Sequence, residues 1–190
     1  MKIGVLCLQG AFLEHEKMLV SLGAEVKEIR TLAHLTDDLD GIVLPGGEST
    51  AQGKLLREEG LLLPLKEKIE NGLPAFGTCA GMILLAGKLL DDDTVHLGVL
   101  NAVVKRNAYG RQLASFKIDA DFKGVGKVPM TFIRAPYFES VGKGVEVLSK
   151  VDGNIVAVRQ NNILATSFHP ELTNDLSVHK YFLDMVKARG

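Results

Sequence analysis

The residue best placed for chemistry is Cys79, in the segment Pro74-Ala-Phe-Gly-Thr-Cys-Ala-Gly-Met82. A short apolar run there meets a Gly-x-Cys-x-Gly turn and then a second apolar series, which predicts a strand, a sharp turn and a helix. Glycine suits positions 77 and 81, because strand and helix come too close in such a turn for a Cβ atom. The flanking glycines favour a reactive thiol over the alternative, a buried structural cysteine.

Two backbone N–H groups are candidates for stabilising a negative oxygen beside Cys79. Ala80 would open the helix, which we predict over 80–90, so its N–H has no partner inside that helix. The dipole of the same helix favours thiolate over thiol. Gly47, in Pro45-Gly-Gly-Glu-Ser49, would supply the second N–H of an oxyanion hole. The alternative for this loop is a tight turn into a helix; it is not a P-loop, because the Gly-Lys-Ser/Thr ending is missing.

A second candidate group lies far downstream, in Ser167-Phe-His-Pro-Glu171. A histidine beside a proline is often only a loop residue. Proline, however, keeps the preceding residue extended, so the side chains of His169 and Glu171, two positions apart, can face the same way. The Glu171 carboxylate would then orient one ring nitrogen and leave the other for a thiol. With Cys79, these residues would form a nucleophile, a base and an orienting acid.

The first half of the chain carries the elements that would position these groups. Apolar runs at 3–8, 24–29, 41–44 and 74–78 predict strands, with helices between most of them. Such alternation indicates a parallel sheet covered by helices on both faces, and ligands of these sheets bind at the carboxyl ends of the strands. The loops at 9–10, 46–49 and 78–80 are therefore expected to meet at one edge.

The second half of the chain has a different residue pattern, with short β-rich runs between residues 97 and 167. Asp152-Gly153 and Asn161-Asn162 are hairpin signals, so we expect antiparallel strands added to the sheet. Segment 121–127 is expected to be an exposed mobile loop, and residues 178–186 keep helical spacing. The predicted fold class is α/β: a three-layer α/β/α sandwich of flavodoxin-like type with a mainly parallel central sheet, in one domain over residues 1–190.

Composition narrows the classes of function. The chain has 22 basic and 23 acidic residues and no basic stripe, which argues against nucleic acid or an anionic membrane as partner. No stretch approaches the ~18 apolar residues of a membrane span, and no signal-peptide cleavage site follows the first apolar run. Cys7 and Cys79 make neither a disulfide framework nor a metal signature, and three adjacent acids at 91–93 suggest a solvated loop. These features predict a cytoplasmic protein without a bound metal.

The motifs around Cys79, His169 and Gly47 resemble those of the class I, triad-type glutamine amidotransferases. Five stretches narrow the resemblance to the glutaminase subunits of pyridoxal 5′-phosphate synthases. They are Leu8-Gln-Gly10, Pro45-Gly-Gly-Glu-Ser-Thr50, Lys105-Arg-Asn-Ala-Tyr-Gly-Arg-Gln112, Phe132-Ile-Arg-Ala-Pro136 and Phe168-His-Pro-Glu-Leu-Thr173. The resemblance runs from the first strand to the last helix. It departs at Cys7, where these subunits usually have Gly or Ala.

The resemblance implies hydrolysis of L-glutamine to L-glutamate and ammonia, without a cofactor. The ammonia would pass, in a hetero-oligomeric complex, to a synthase subunit that builds pyridoxal 5′-phosphate from a pentose phosphate and a triose phosphate. The resemblance also places Arg106, Arg134 and Ala135 on the substrate, together with Gly47, Glu48 and Ser49. A guanidinium suits the α-carboxylate of glutamine. The alternative for both arginines is an ordinary surface cation.

Gln9, Gly10 and Gly46 are predicted to regulate the site through the partner. By this interpretation they lie at the same strand edge as Gly47, and a flexible glycine pair can hold an oxyanion donor out of line until a partner orders the loop. Three other interpretations stay open. The chain could be a glutaminase for a different synthase, a thiol hydrolase of another amide, or a non-catalytic flavodoxin-like binding protein in which Cys79 and His169 have only structural roles.

Overall fold

The first half of the chain forms parallel strands joined by helices. The computed structural model describes residues 1–110 and 115–189. The first four strands are β1 (Lys2–Leu6), β2 (Glu25–Ile29), β3 (Gly41–Leu44) and β4 (Ala75–Thr78). Between them lie α1 (Phe12–Ser21), a 3₁₀ turn (Leu32–His34), α2 (Ser49–Glu58) and α3 (Leu62–Glu70). All four strands are parallel, with β1 between β2 and β3, and β3 beside β4.

The second half is mostly β-structure. After α4 (Ala80–Leu85) come β5 (Ala86–Leu89), β6 (Leu100–Lys105), β7 (Ser115–Phe122), β8 (Gly126–Ile133), β9 (Tyr137–Val141), β10 (Glu146–Val151), β11 (Asn154–Gln160) and β12 (Ile163–Thr166). A 3₁₀ turn (Pro170–Leu172) and α5 (Ser177–Ala188) follow. None of the helices in the described ranges has the length and apolar character needed to cross a membrane.

The strand order explains how two distant parts of the chain meet. Within the described residues, the large sheet runs β2-β1-β3-β4-β12-β11-β9-β6-β5, with β10 paired to β11. Strand β12 is parallel to β4, and Thr166 lies opposite Thr78. Both strands therefore end at the same edge, where the Cys79 N–H donates to the Thr166 carbonyl oxygen at 2.8 Å. The antiparallel pairs of β9, β10 and β12 with β11 confirm the strands expected from the second half.

Apolar side chains on the two faces of the sheet form two cores. Val5 packs on the face that α5 covers, in a cluster that includes Phe182. Its neighbour Leu6 points to the opposite face and joins Leu56 of α2. Successive strand residues alternate between faces, so runs that are apolar throughout must be buried on both sides. This arrangement confirms the α/β fold with helices on both faces of the sheet.

Two expectations about individual elements are wrong, and both errors concern β-structure. The helix predicted over 80–90 ends at Leu85, because Ala86–Leu89 pairs with β6 as an edge strand. The segment 121–127 is largely exposed, as expected, but most of it belongs to paired strands and it is not a loop. It closes the β7–β8 hairpin, and Phe122 is buried within it. The Lys123 N–H also donates to the Leu148 carbonyl oxygen at 2.8 Å, which fixes the hairpin end against β10.

Candidate active site

Cys79 lies in a strained turn between β4 and α4. Its backbone angles, φ 50° and ψ −102°, belong to a sparsely populated region. The turn brings α4 back against the strands. A Cβ atom on Gly81 would lie 1.9 Å from the Leu44 carbonyl oxygen, and one on Gly77 would lie 2.6 Å from the Gly81 carbonyl carbon. The elbow expected from the glycine spacing is present, and the close backbone contacts explain both glycines.

Gly81→Ala should therefore destabilise the protein by about 3 kcal/mol or more, the upper end of what overpacking costs, because its clash is with strand backbone. Urea unfolding of variant and wild type measures the loss. Gly60→Ala is the matched control, since Gly60 has a φ of +66° but no atom within 4 Å of its Cβ position. A left-handed alanine there should cost about 1–2 kcal/mol. Equal losses in the two variants would contradict the close-contact explanation.

His169 and Glu171 form a tight buried pair just after β12. His169 Nδ1 lies 2.6 Å from Glu171 Oε1, and the two residues are 6% and 5% exposed. The His169 N–H donates to the Thr131 carbonyl oxygen at 2.8 Å, which holds this segment against β8. The backbone at His169, before Pro170, has φ −105° and ψ 86°. The two side chains thus face the same way, as the His-Pro-Glu spacing indicates.

The environment of the pair favours opposite charges. Burial lowers the pKa of His169, but the contacts with Cys79 and Glu171 outweigh burial and raise it. Burial raises the pKa of Glu171, whereas His15 and the hydrogen bond from His169 lower it, and the net direction is downward. At neutral pH the imidazole therefore carries a proton that Glu171 stabilises. Such a group can donate a proton to a leaving nitrogen.

The other cysteine, Cys7, has no such environment. It is 1% exposed, and its Sγ lies 3.2 Å from the Val5 carbonyl oxygen and 3.3 Å from Glu16 Oε1, either of which can accept its one proton. Burial and the neighbouring Glu16 carboxylate raise the pKa of Cys7 to about 12. The thiol stays protonated at neutral pH and is unreactive there.

The loop after β3 is held by the loop after β1. The Gly46 carbonyl oxygen accepts from the Ala11 N–H at 3.0 Å, and the Gly46 N–H donates to Thr78 Oγ1 at 3.1 Å. Gln9 Oε1 accepts from the Glu48 N–H at 2.8 Å. The C=O and N–H of a trans peptide point in opposite directions, so the Gly47 N–H points away from Ala11. Among the described residues nothing accepts a hydrogen bond from this N–H.

One cavity of about 540 Å³ contains most of the predicted site. Cys79 and His169 are part of its wall, as are the two predicted oxyanion donors, Gly47 and Ala80. Its volume suits a small molecule, since such sites measure roughly 300–1,000 Å³. Other predicted residues in the wall are Gln9, Gly46, Glu48, Ser49, Arg106 and Arg134. A larger groove of about 740 Å³, between the β7–β8 hairpin and residues 172–175, contains none of the predicted site residues.

The two predicted arginines differ in their partners. Arg106 Nη2 donates to Asp92 Oδ2 at 2.8 Å, so its charge is shared with a carboxylate. Arg134 is exposed at the cavity, with a left-handed φ of 44°, and forms no ion pair within the part of the chain described. Arg134 is thus the cation available to an anionic ligand. Arg111 and Gln112, which end the motif 105–112, lie outside the described residues.

Comparison with known proteins shows the family of the chain. A family model described as the SNO glutamine amidotransferase family matches residues 5–188. The chain belongs to this family. It is 56% identical over 193 residues to the pyridoxal 5′-phosphate synthase subunit PdxT of Streptococcus pneumoniae, covering 100% of each chain. It is 58% identical over 191 residues to the Haemophilus influenzae protein of the same name, covering 99% of this chain and 100% of that one.

A solved structure shares both the fold and the family. It is described as a glutamine amidotransferase and matches with a TM-score of 0.93 and 48% identity, over 97% of this chain and 98% of that one. The resemblance to glutamine amidotransferases that the sequence motifs indicated is confirmed. Since the family match spans both halves of the chain, the elbow of Cys79 and the segment of His169 both lie within it.

Three residues predicted for the amidotransferase site are not in the cavity wall. Ala135 is 1% exposed, and its carbonyl oxygen accepts from the Ala108 N–H at 3.1 Å. Gly10 lies behind the wall, where a Cβ atom would be 1.9 Å from the Gly46 carbonyl oxygen. Glu171 stands behind His169, which is the position an orienting carboxylate needs.

Sequence reasoning missed part of the amidotransferase cavity. The additional wall residues are Ala11, Ile83, Asn107, Ile133, Pro136 and Leu172. Two of them, Ile133 and Pro136, belong with Arg134 to the motif 132–136, so the sequence did contain a signal for them. Asn107 has a φ of 46°, a conformation that asparagine adopts more readily than most residues, but sequence alone does not reveal it. Ile133 and Leu172 are partly exposed, which gives the cavity an apolar rim.

Proposed function

We propose that this amidotransferase hydrolyses the side-chain amide of L-glutamine to L-glutamate and ammonia, with Cys79 as nucleophile. One observation carries the assignment of residues: the thiol at the elbow and the imidazole held by Glu171 share a single cavity. Membership of the glutamine amidotransferase family supports glutamine as the substrate. Arg134, which lines the cavity and has no ion pair among residues 1–110 and 115–189, supports a substrate that carries a carboxylate.

The reaction would run through a thioester. The Cys79 thiolate attacks the amide carbon, and the resulting oxyanion accepts hydrogen bonds from the Gly47 and Ala80 N–H groups. His169 gives its proton to the amide nitrogen, the C–N bond breaks, and ammonia leaves. The imidazole, now neutral, takes a proton from water, which attacks the γ-glutamyl thioester and releases glutamate and the thiolate. Glu171 keeps the imidazole oriented and stabilises its charged form.

Recognition of the substrate's α-carboxylate is assigned to Arg134, with a contribution from Arg106 in the same cavity wall. The loop residues Gly47, Glu48 and Ser49 would contact the rest of the amino acid. The Glu48 side chain is already engaged as the N-cap of α2, accepting from the Thr50 and Ala51 N–H groups. The Glu48 N–H is engaged as well, by Gln9 Oε1, so a contact with substrate would require one of these hydrogen bonds to be exchanged. Ala135 would act only by positioning Arg134.

Ammonia released here is assigned to a synthase subunit. The relatives at 56% and 58% identity are both named pyridoxal 5′-phosphate synthase subunits, which supports a partner that uses ammonia to form pyridoxal 5′-phosphate. We propose that residues 1–190 act as one amidotransferase domain in that complex, because the family model spans residues 5–188.

The proposed activity is tested by glutamate release in the presence of the synthase subunit. Glutamine should be hydrolysed, whereas asparagine and peptide amides should not. A glutamine-derived electrophile should label Cys79 and leave Cys7 unmodified, since only the first thiol lies in the cavity. Turnover of asparagine at a comparable rate would favour a thiol hydrolase of another amide. Absence of both turnover and labelling would favour a non-catalytic binding protein.

Regulation by the partner is proposed for the loops that hold Gln9, Gly10, Gly46 and Gly47. The Ala11 N–H fixes the orientation of the Gly46–Gly47 peptide, and Gln9 holds the next residue, so any movement of the first loop moves the oxyanion donor. Gly10 packs so closely on Gly46 that the two loops cannot shift independently. A partner that docks over these loops would align the donor for catalysis.

The isolated chain should accordingly be a weak glutaminase that the synthase subunit stimulates by ~10²–10³, the effect of one oxyanion-hole donor. Gln9→Ala should lose much of that stimulation, because Gln9 no longer holds the loop. The measurement is glutamate release with and without an equimolar synthase subunit. Gln160→Ala is the matched control, since Gln160 Oε1 also accepts a backbone N–H, that of Asn101, but lies beside the start of β12, at the opposite end of that strand from the site. Full activity of the isolated wild type, unchanged on adding the synthase, would contradict this proposal.

A further inference from the structure

A buried polar cluster that the mechanism does not use lies directly behind Glu171. His15 of α1, His179 of α5 and Thr78 of β4 are each 0% exposed. His15 Nδ1 is 2.8 Å from His179 Nε2, and His15 Nε2 is 3.1 Å from Thr78 Oγ1. The same His15 Nε2 is 3.5 Å from Glu171 Oε2, the carboxylate oxygen that does not contact His169. Buried imidazoles are uncommon enough to need an explanation.

Burial favours the neutral form of both imidazoles of the cluster. Burial lowers the pKa of His15, although the Glu171 carboxylate opposes that effect, and burial lowers the pKa of His179 well below its ordinary value. A neutral imidazole has one N–H and one bare nitrogen. Only two proton arrangements are therefore compatible with the short contact between the rings.

In the first arrangement, His179 Nε2–H donates to bare His15 Nδ1, and His15 Nε2–H points at Thr78 and Glu171. The unpartnered atom is then His179 Nδ1 as a bare nitrogen, for which no hydrogen-bond partner exists among the described residues. In the second arrangement, His179 Nδ1–H would have no acceptor among the described residues, and the bare His15 Nε2 would accept from the Thr78 hydroxyl while facing the Glu171 carboxylate at 3.5 Å. The second arrangement has an orphaned donor and a lone pair against an anion, both costly. The first arrangement is therefore favoured.

We propose that His15 and His179 are positioning residues for the triad: His179 fixes which nitrogen of His15 carries the proton, and His15 Nε2–H then holds the outer oxygen of Glu171. This inference rests on the proposed function, because it concerns how the base His169 is oriented. Glu171 Oε2 is buried and has no hydrogen-bond partner within the part of the chain described. His15 is the donor nearest to satisfying that charged oxygen.

The cluster also contacts the oxyanion loop. Thr78 Oγ1 accepts the Gly46 N–H at 3.1 Å and lies 3.1 Å from His15 Nε2. One hydroxyl thus joins the residue that holds Glu171 to the peptide that precedes the Gly47 donor. His179 itself lies on α5 and is not part of the cavity wall.

The groups around Glu171 define what a pH profile would report. His169 faces it from its own segment, and His15 faces it from α1. Glu14 and Lys17, also on α1, line a shallow cleft beside Glu171. Loss of the His15 donor would disfavour the charged form of Glu171, so the pKa of that carboxyl would rise. As the pH is lowered, activity would then be lost earlier, so the acid limb of the pH–activity profile would move to higher pH.

The experiment compares paired variants in the complex with the synthase subunit. A glutamine amide reaches the Nε2 position of the histidine it replaces, whereas an asparagine amide reaches only the Nδ1 position. His15→Asn should lower kcat about 10-fold with little change in KM for glutamine, because His15 touches no substrate. It should also move the acid limb upward by about one pH unit. His15→Gln should restore most of kcat and the position of the acid limb.

His179 provides the second pair and a safeguard if either His15 variant fails to fold. His179→Phe removes the donor that fixes the His15 proton, so it should reproduce the lower kcat and the upward shift of the acid limb. His179→Gln should keep the kcat and the acid limb of the wild type. Each rate is normalised to folded protein from circular dichroism. Identical pH profiles for the Phe variant and the wild type, or for the Asn and Gln variants at position 15, would overturn the inference. A wild type that does not hydrolyse glutamine would instead overturn the proposed function.

Discussion

Cys79→Ala should abolish glutamine hydrolysis, with a loss of about 10⁴-fold or more, because no other group near the substrate can form the thioester. Cys79 is 7% exposed and opens onto the cavity beside His169 and the two oxyanion donors. Alanine removes only the sulfur atom, so the elbow and its glycine contacts stay intact. Glutamate release measures the loss, and circular dichroism and thermal unfolding check the fold.

Cys7→Ala is the control for that variant. The Cys7 thiol is buried beside Glu16, and its raised pKa keeps it protonated at neutral pH. Cys7 does not line the cavity. Its replacement should leave kcat and KM for glutamine within about twofold of the wild type. If Cys79→Ala retained near-normal turnover while Cys7→Ala lost it, the assignment of the nucleophile would be wrong.

His169→Asn should lower turnover by ~10²–10⁴, the usual effect of losing a general acid and base. Asparagine cannot carry the proton that must reach the departing nitrogen. Glu171→Gln should cost less, because the imidazole remains and loses only its anionic partner. Without that partner the pKa of His169 falls, so the proton is lost at a lower pH and the alkaline limb of the profile moves downward.

The two variants are compared by steady-state rates across a pH series, with the synthase subunit present. The order of effects is the informative result, since the residue that moves the proton must matter more than the residue that orients it. Turnover like that of the wild type in both variants would remove the His169–Glu171 pair from the mechanism. A larger loss in Glu171→Gln than in His169→Asn would reverse the assigned roles.

The parts of the site that sequence could predict are those fixed by local geometry. The glycines around Cys79 are required by backbone contacts within the turn and with β3, and the pairing of His169 with Glu171 follows from the extended residue before a proline. That the segments of Cys79 and His169 lie close together could be predicted only from the need of a thiol nucleophile for a nearby base. The structural cause, the parallel pairing of β12 with β4, depends on contacts between distant strands that no local pattern encodes.

The parts that sequence could not predict depend on packing between elements. His15 has the spacing of an ordinary helix residue, and only the placement of α1 and α5 on the same face brings it to His179 and Glu171. The early end of α4 is a second example. Its apolar residues suit a helix, yet pairing with β6 draws Ala86–Leu89 into the sheet. In both cases tertiary contacts override a local preference.

The insertion of β12 beside β4 also orders events during synthesis of the chain. Ribosomes release β1 to β4 first, and until residues 163–166 emerge, β4 has an open edge with unpaired N–H and C=O groups. A nascent chain in that state lacks the Thr166 carbonyl oxygen that accepts the Cys79 N–H, and His169 has not yet been made. Its thiol therefore lacks the base that would activate it, and hydrolytic activity appears only when the strand that protects the sheet edge from aggregation is in place.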